Sequence, residues 1–141
     1  MVVGDGLSAT AVAQAALMLD GLAAACTACG WSFGRPFLVR YCRVGVMNEV
    51  GDILAPAVVV LLLGERPGLA TAESLSAYLA FRPRAGHTDA DRNLVSNIHP
   101  RGVGAADAVG RVVALAARFR ELGRSGVGVT EVPDEKRPSL A

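Results

Sequence analysis

Six consecutive large aliphatic residues, Val58 to Leu63, form the strongest hydrophobic signal in the chain. Three of them are β-branched, so the run reads as a strand buried on both faces, as in the middle of a parallel sheet. Upstream, Val2-Val3 predicts a short first strand, followed by a turn over Gly4 to Ser8, with Ser8 or Thr10 able to N-cap a helix. Ala9 to Cys29 reads as that helix, with Val12, Ala15, Ala16, Leu19, Leu22 and Ala23 on one stripe, and Gly30 at its C′ position. After a loop over Ser32 to Pro36, Phe37 to Tyr41 predicts a second strand. A short helix from Asn48 to Leu54 leads through Ala55-Pro56 into the aliphatic run.

Downstream, Ser74 to Phe81 fits a strand or a helix, and Tyr78, Ala80 and Phe81 favour the strand. Arg82 to Arg92 reads as an exposed loop and Asn93 to Ile98 as a short strand. Ala105 to Leu122 predicts a helix with Val109, Val112, Val113, Ala116, Phe119 and Leu122 inside. Its outer face carries Asp107 and Arg111 at i,i+4, then Arg118 and Glu121. Gly123 caps it, and Val127 to Val129 predicts a last strand. The expected fold class is α/β: a Rossmann-like three-layer sandwich with a mostly parallel central sheet over residues 1–132. The polar stretch 133–141, with two prolines, is expected to be a disordered tail.

Composition narrows the functional classes. A chain of 141 residues has room for one domain with a real core, and a hydrophobic content of 52% with 19% charged residues is that of a globular protein. A formal charge of +1 leaves no electrostatic footprint for nucleic acid or an anionic membrane surface. The run Ile53 to Leu63, read as the most apolar, is broken by Pro56 and falls short of the roughly 20 residues of a membrane span. No basic region precedes the alanine-rich stretch, so an export signal is not expected. A cytoplasmic location is the expectation, with the three cysteines reduced.

Several motifs have both a chemical and a plain reading. Gly4-x-Gly6-x-x-Ala9 has the spacing of a dinucleotide fingerprint, but Asp5 would set a negative charge beside the phosphate, and Arg43 stands where a ribose-binding acid is expected. A tight strand-to-helix turn is the plain alternative. Cys26-x-x-Cys29 lies at the end of a helix, where the dipole opposes a thiolate, and only the distant Cys42, His87 and His99 could complete a zinc site. Asn97-x-His99-x-x-Gly102 resembles a cobalt-ligating Asp-x-His-x-x-Gly loop without its orienting aspartate, so a hydrogen-bonding loop histidine is the simpler reading. Asp89-x-Asp91-Arg92 reads as solvated charges or an ion pair. Glu65-Arg66 comes after the most buried strand, at the sheet edge where α/β proteins bind ligands. No serine, histidine and acid constellation suits a hydrolase, and neither catalytic residues nor a metal site are expected in this chain.

Five ordered blocks carry a resemblance: Val2-Val3-x-Asp5-Gly6-Leu7-Ser8, Pro36-Phe37-x-Val39-Arg40-Tyr41-x-Arg43-Val44, Leu63 to Leu75, Ala90-Asp91-Arg92-Asn93 with Ser96-Asn97-Ile98-His99-Pro100, and Ser125-Gly126-Val127. Together they resemble the small (light) subunit of ethanolamine ammonia-lyase. The resemblance implies a subunit of an adenosylcobalamin-dependent lyase that converts ethanolamine to acetaldehyde and ammonia by a radical route. It implies a large-subunit partner, a TIM barrel holding the substrate, while the Rossmann-like C-terminal domain of the small subunit covers the corrinoid. Carried over by motif, the cofactor contacts are Val44, Glu65 and the position of Leu94. A carboxylate such as Glu65 can accept hydrogen bonds from corrin amides or a ribose hydroxyl.

Leu94-Val95 replaces the Cys-Ile usual in the family, and Cys42 stands where glycine is common. Family members carry a further N-terminal segment of helices and linker, so a fragment, a mis-assigned start or a reduced homologue is the expectation. The family also raises a bacterial microcompartment as a location. Two rivals remain open: a stand-alone NAD(P)-dependent oxidoreductase, and a degenerate subunit that docks without binding cofactor.

Overall fold

The computed structural model of the chain describes residues 1–5, 9–64 and 74–132. In chain order these form β1 (Val2–Gly4), α1 (Ala9–Ala28), β2 (Phe37–Val39), α2 (Val46–Leu54), β3 (Val58–Gly64), β4 (Leu75–Phe81), β5 (Arg92–Ile98) and α3 (Ala105–Leu122), with one 3-10 turn at Asp89–Asp91. The strands make one sheet in the order β2-β1-β3-β4-β5. The aliphatic run is its central strand, and its side chains alternate as a two-residue period requires. Val60 and Leu62 pack with α1 and α3 on one face, while Val59 and Leu61 pack with Met47 and Val50 of α2 on the other. The three layers expected from the sequence are present.

The sheet is mixed, which corrects the expected mostly parallel arrangement. β1 pairs in parallel with β2 and β3, but β3–β4 and β4–β5 are antiparallel and carry most of the paired positions. Connection length explains the reversal. A parallel return needs a crossover of about a dozen residues or more, whereas residues 65–74 and 82–91 give ten each. The first link between strands contains α1 and the second contains α2, and those two are the parallel ones.

Local chemistry sets the remaining boundaries. α1 ends in a Schellman motif, with the Trp31 N–H donating to the Cys26 carbonyl (2.8 Å), the Gly30 N–H to Thr27 (3.1 Å) and Gly30 at φ 71°. The expected exposed loop after β4 contains a capped turn: the Thr88 hydroxyl accepts from the Ala90 N–H, and the Thr88 N–H donates to the Asp91 carboxylate at 2.8 Å. β5 carries a bulge, since two steps on β4 (Leu75 to Ala77) oppose three on β5 (Val95 to Ile98), and Asn97 there takes φ 60°.

Three expectations fail for identifiable reasons. Val127 to Val129 is a turn, because Gly126 (φ 100°) and Gly128 (φ 84°) hold left-handed backbone that no strand uses. The buried stripe of α1 is Ala11, Gln14, Ala15, Met18 and Leu22, leaving Val12 at 52% exposure. An alanine-rich helix is apolar on every side, so its composition does not orient it. The same feature makes Ala11–Ala28 long and apolar enough to cross a membrane, a stretch missed beside the shorter run Ile53 to Leu63. Here it packs on α3 and the sheet. On α3, Arg111 pairs with Glu131 (2.8 Å), Leu122 is exposed, and Arg118 is buried with its guanidinium on Glu121 (2.7 Å). The expected turn at residues 6–8 and the expected tail at 133–141 lie outside the described residues.

Backbone closes tightly on Gly126, where a Cβ would overlap the Ala90 carbonyl. Gly126→Ala is expected to destabilise the protein by on the order of 2 kcal/mol in a urea titration. Gly34→Ala, with nothing within 4 Å, is expected to change stability by less than about 0.5 kcal/mol.

Candidate functional site

Because β5 is antiparallel to β4 and β4 to β3, the strands β1, β2, β3 and β5 all end at one edge of the sheet. That edge gathers Asp5, the turn from Arg40 to Gly45, Gly64 and the loop after Ile98. In α/β sheets this is the edge at which ligands bind.

Asp5 organises the first part of the edge. Its N–H donates to the Val39 carbonyl (3.0 Å), and its carboxylate accepts from the N–H groups of Tyr41 (2.7 Å) and Cys42 (3.1 Å). Those two donors hold the carboxyl below its usual value of 3.8, helped by Arg40. The arrangement keeps Tyr41 at φ 53°, with its ring exposed, and aims the chain into α2. Val44 comes next: its carbonyl accepts from the Met47 N–H (3.1 Å), and it is half-buried against the α2 cluster, as Leu63 and Tyr78 are. Gly4 is bare for packing reasons. A Cβ there would overlap the Leu63 side chain and lie 3.0 Å from that of Cys42. The first glycine of the fingerprint therefore serves a strand-to-turn contact, and Gly6 lies outside the described residues.

Leu94 lies within β5, directly opposite Tyr78 of β4. Opposed residues share a face, and Tyr78 packs on the α2 side. Val44 and Leu94 therefore stand on the α2 side of the sheet, where Leu63 and Tyr78 also pack. α2 packs on β3, and Leu94 is left 47% exposed. Glu65 lies outside the described residues; it comes directly after Gly64, whose partner across the ladder is Leu75. The hydroxyl of Ser74, just before Leu75, is buried without a hydrogen-bond partner among the described residues.

The other motifs resolve into structural roles. The Arg101 N–H donates to His99 Nδ1 (3.2 Å), so Nε2 carries the proton and donates to the Asn97 amide oxygen (2.7 Å). Both ring nitrogens are engaged in hydrogen bonds, as in the simpler reading of this loop. Asp89 pairs with Arg92 (2.6 Å), and Arg92 also donates to Asn48 of α2 (3.3 Å). Burial pushes the Cys26 and Cys42 thiols up, with the Asp5 charge a second cause at Cys42. Among the described residues no three His, Cys, Asp or Glu side chains gather to hold a metal ion.

Sequence reasoning missed the clamp role of Asp5, and it missed what Ser125 and Asn93 do. The Ser125 hydroxyl donates to the Asp91 carbonyl and accepts from the Phe81 N–H (2.9 Å). The Asn93 side chain donates to the Gly126 and Val129 carbonyls and accepts from the Gly126 N–H (2.6 Å). The signal was available, since these residues fall in the ordered blocks, but nothing in the spacing said which block meets which.

The lowered pKa of Asp5 gives a signed expectation. A carboxylate held below its unfolded value adds stability that is present above that value and is lost as pH falls through the folded one. Asp5→Ala is therefore expected to have a lower Tm than wild type at pH 7. The gap should close as pH falls below 3.8 toward the folded value, and a gap that persists unchanged at pH 2 would contradict the clamp.

A family model described as the ethanolamine ammonia-lyase light chain (EutC) matches residues 1–130. The match takes in every strand and helix described above, together with the whole candidate edge. The chain belongs to the ethanolamine ammonia-lyase light-chain family.

Proposed function

We propose that the chain is the small subunit of an adenosylcobalamin-dependent ethanolamine ammonia-lyase and that its sheet edge holds the corrinoid against a large catalytic subunit. The observation that carries this reading is the placement of Val44 and Leu94 on one side of the sheet, with β3 ending at Gly64, directly before Glu65 in the sequence. Residues 1–132 act as the binding domain, and the reaction of the complex is the conversion of ethanolamine to acetaldehyde and ammonia. The complex works in the cytoplasm or inside a bacterial microcompartment.

The residues present suit such a cofactor. A corrinoid offers a broad, largely apolar ring rimmed by amides that donate and accept hydrogen bonds. Leu94 supplies an open apolar contact, and the turn held by Asp5 supplies fixed backbone groups around Val44. The Glu65 carboxylate supplies an acceptor for an amide or ribose hydroxyl, and the buried Ser74 hydroxyl lies at the same edge. When bound, the cofactor supplies the radical that starts the reaction. What this chain contributes is position: a rigid turn, an apolar contact and a carboxylate, with the substrate left to the partner.

The nicotinamide reading draws less support. Gly4 is occupied in packing, and Asp5 points its charge at the Tyr41–Cys42 backbone. A degenerate subunit would share the fold but not the ligand response.

Spectral titration with adenosylcobalamin of the chain co-purified with a large subunit tests the reading. Glu65→Ala is expected to weaken binding about tenfold, the effect of losing about 1.4 kcal/mol. Leu94→Asp is expected to weaken it by at least as much. Arg124→Ala, distant at the far end of α3, should leave binding unchanged, and equal losses in all three would contradict a specific contact.

A further inference from the structure

Tyr41 carries a side chain that the fold does not use. Its backbone is left-handed (φ 53°), a conformation that suits glycine or asparagine and is rare for a bulky residue. The Asp5 clamp holds it through its N–H, a group that any residue but proline offers. The ring is 85% exposed, so it adds nothing to the core. Non-glycine residues held in this backbone region gather at functional sites, where the surrounding structure fixes a side chain in advance.

The neighbours of Tyr41 suit a protein surface. The Arg40 guanidinium lies 5.5 Å from the centre of the Tyr41 ring, within reach of a cation–π contact. Each long side chain restrains the other, which lowers the entropy lost when a partner buries both. Two residues before Arg40, Leu38 is 74% exposed on β2, the strand at one border of the sheet. It stands opposite Val3, on the face that α1 and α3 cover elsewhere. Proteins ordinarily cover or charge an exposed apolar border strand. Charge narrows the partner further. No acidic residue occurs between Asp20 and Glu49, a stretch that contains Arg40 and Arg43. Both arginines are exposed, and neither forms an ion pair among the described residues. The one nearby carboxylate, that of Asp5, is engaged by backbone N–H groups. The complement of this surface is therefore acidic. Tyrosine and arginine are among the residues that carry most of the binding energy at protein interfaces.

We propose that Leu38, Arg40 and Tyr41 form a docking surface for the large subunit, whose facing patch sets carboxylates around an apolar recess that receives the Tyr41 ring. Membership of a light-chain family implies a large chain as partner. The turn that carries Tyr41 runs directly on to Val44 at the candidate edge, so the docked polypeptide borders the ligand side of the sheet. The inference rests on the reading of this chain as a subunit that works beside a large one. It adds where the two polypeptides touch, a contact made without the corrinoid.

The chain and its variants are titrated calorimetrically into an ethanolamine ammonia-lyase large subunit, with and without adenosylcobalamin. Tyr41→Gly and Tyr41→Asn suit the left-handed backbone, so both are expected to keep the wild-type Tm or raise it. Their affinity for the large subunit is expected to fall about tenfold or more under both conditions. Tyr41→Phe keeps the ring and should restore most of that affinity. Arg40→Gln should weaken binding and flatten its dependence on salt. Leu17→Ala, at an exposed leucine of α1, should leave affinity unchanged. A lowered Tm in both Tyr41→Gly and Tyr41→Asn would give the ring a role in the fold and overturn the proposal. An affinity loss seen only with adenosylcobalamin also overturns it, since the ring would then touch the corrinoid. So does self-association of the wild-type chain that Tyr41→Gly abolishes, which would put a second copy on this surface. Wild type that binds no large subunit overturns the inference together with the reading beneath it. Equal binding by wild type and Tyr41→Gly, or an equal loss in Leu17→Ala, overturns the inference alone.

Discussion

The fold depends on one constraint: β3 is buried on both faces, so its backbone must be paired along both edges. On one edge β4 answers residue for residue, from Val58 opposite Phe81 to Gly64 opposite Leu75. On the other, β1 covers only two positions. This imbalance sets what the rest of the chain does. The antiparallel pair β4–β5 gives the sheet its breadth, and α1 with α3 seals one face of it. α2 seals the other face only over the parallel half, which leaves Leu94 open.

The segments around the sheet are held by a small number of side-chain to backbone hydrogen bonds. Asp5 holds the β2–α2 turn, Thr88 and Asp91 close the turn before β5, and Ser125 with Asn93 fastens the chain after α3 back onto β4 and β5. Each belongs to, or adjoins, one of the sequence blocks shared with the light-chain family. Those blocks therefore record demands of the fold. At Asn93, two carbonyls and one N–H of the backbone use both ends of the side-chain amide.

That distinction explains how far the sequence could be read. Periodicity places β3, α3 and the ends of α1 because burial imposes a period and glycine marks the stops. It does not give strand direction. That depended on connection length: the ten residues after β3 and after β4 make the sheet mixed. Nor does it orient α1, whose alanines make every face acceptable to a core. At the site, Val44 and Leu94 could be named only through resemblance. Neither has a chemical signature of its own, and their shared face exists only once Tyr78 is set opposite Leu94. Asp5 was visible but misread, as a charge obstructing a phosphate, because its partners lie 36 and 37 residues away.

The two ends of the sheet differ in what they present. At one end, hydrogen bonds fix the turn around Val44, and Leu94 is left open on the same side of the sheet. At the other, Val58 and Val60 pack toward α1 and α3 and Val59 packs toward α2. β3 connects them, with Leu61 and Leu62 fully buried between the two. A strand packed this tightly moves as one unit. The place of Gly64, and with it the edge at which β1, β2, β3 and β5 end, is therefore set by the packing of β3 along its whole length.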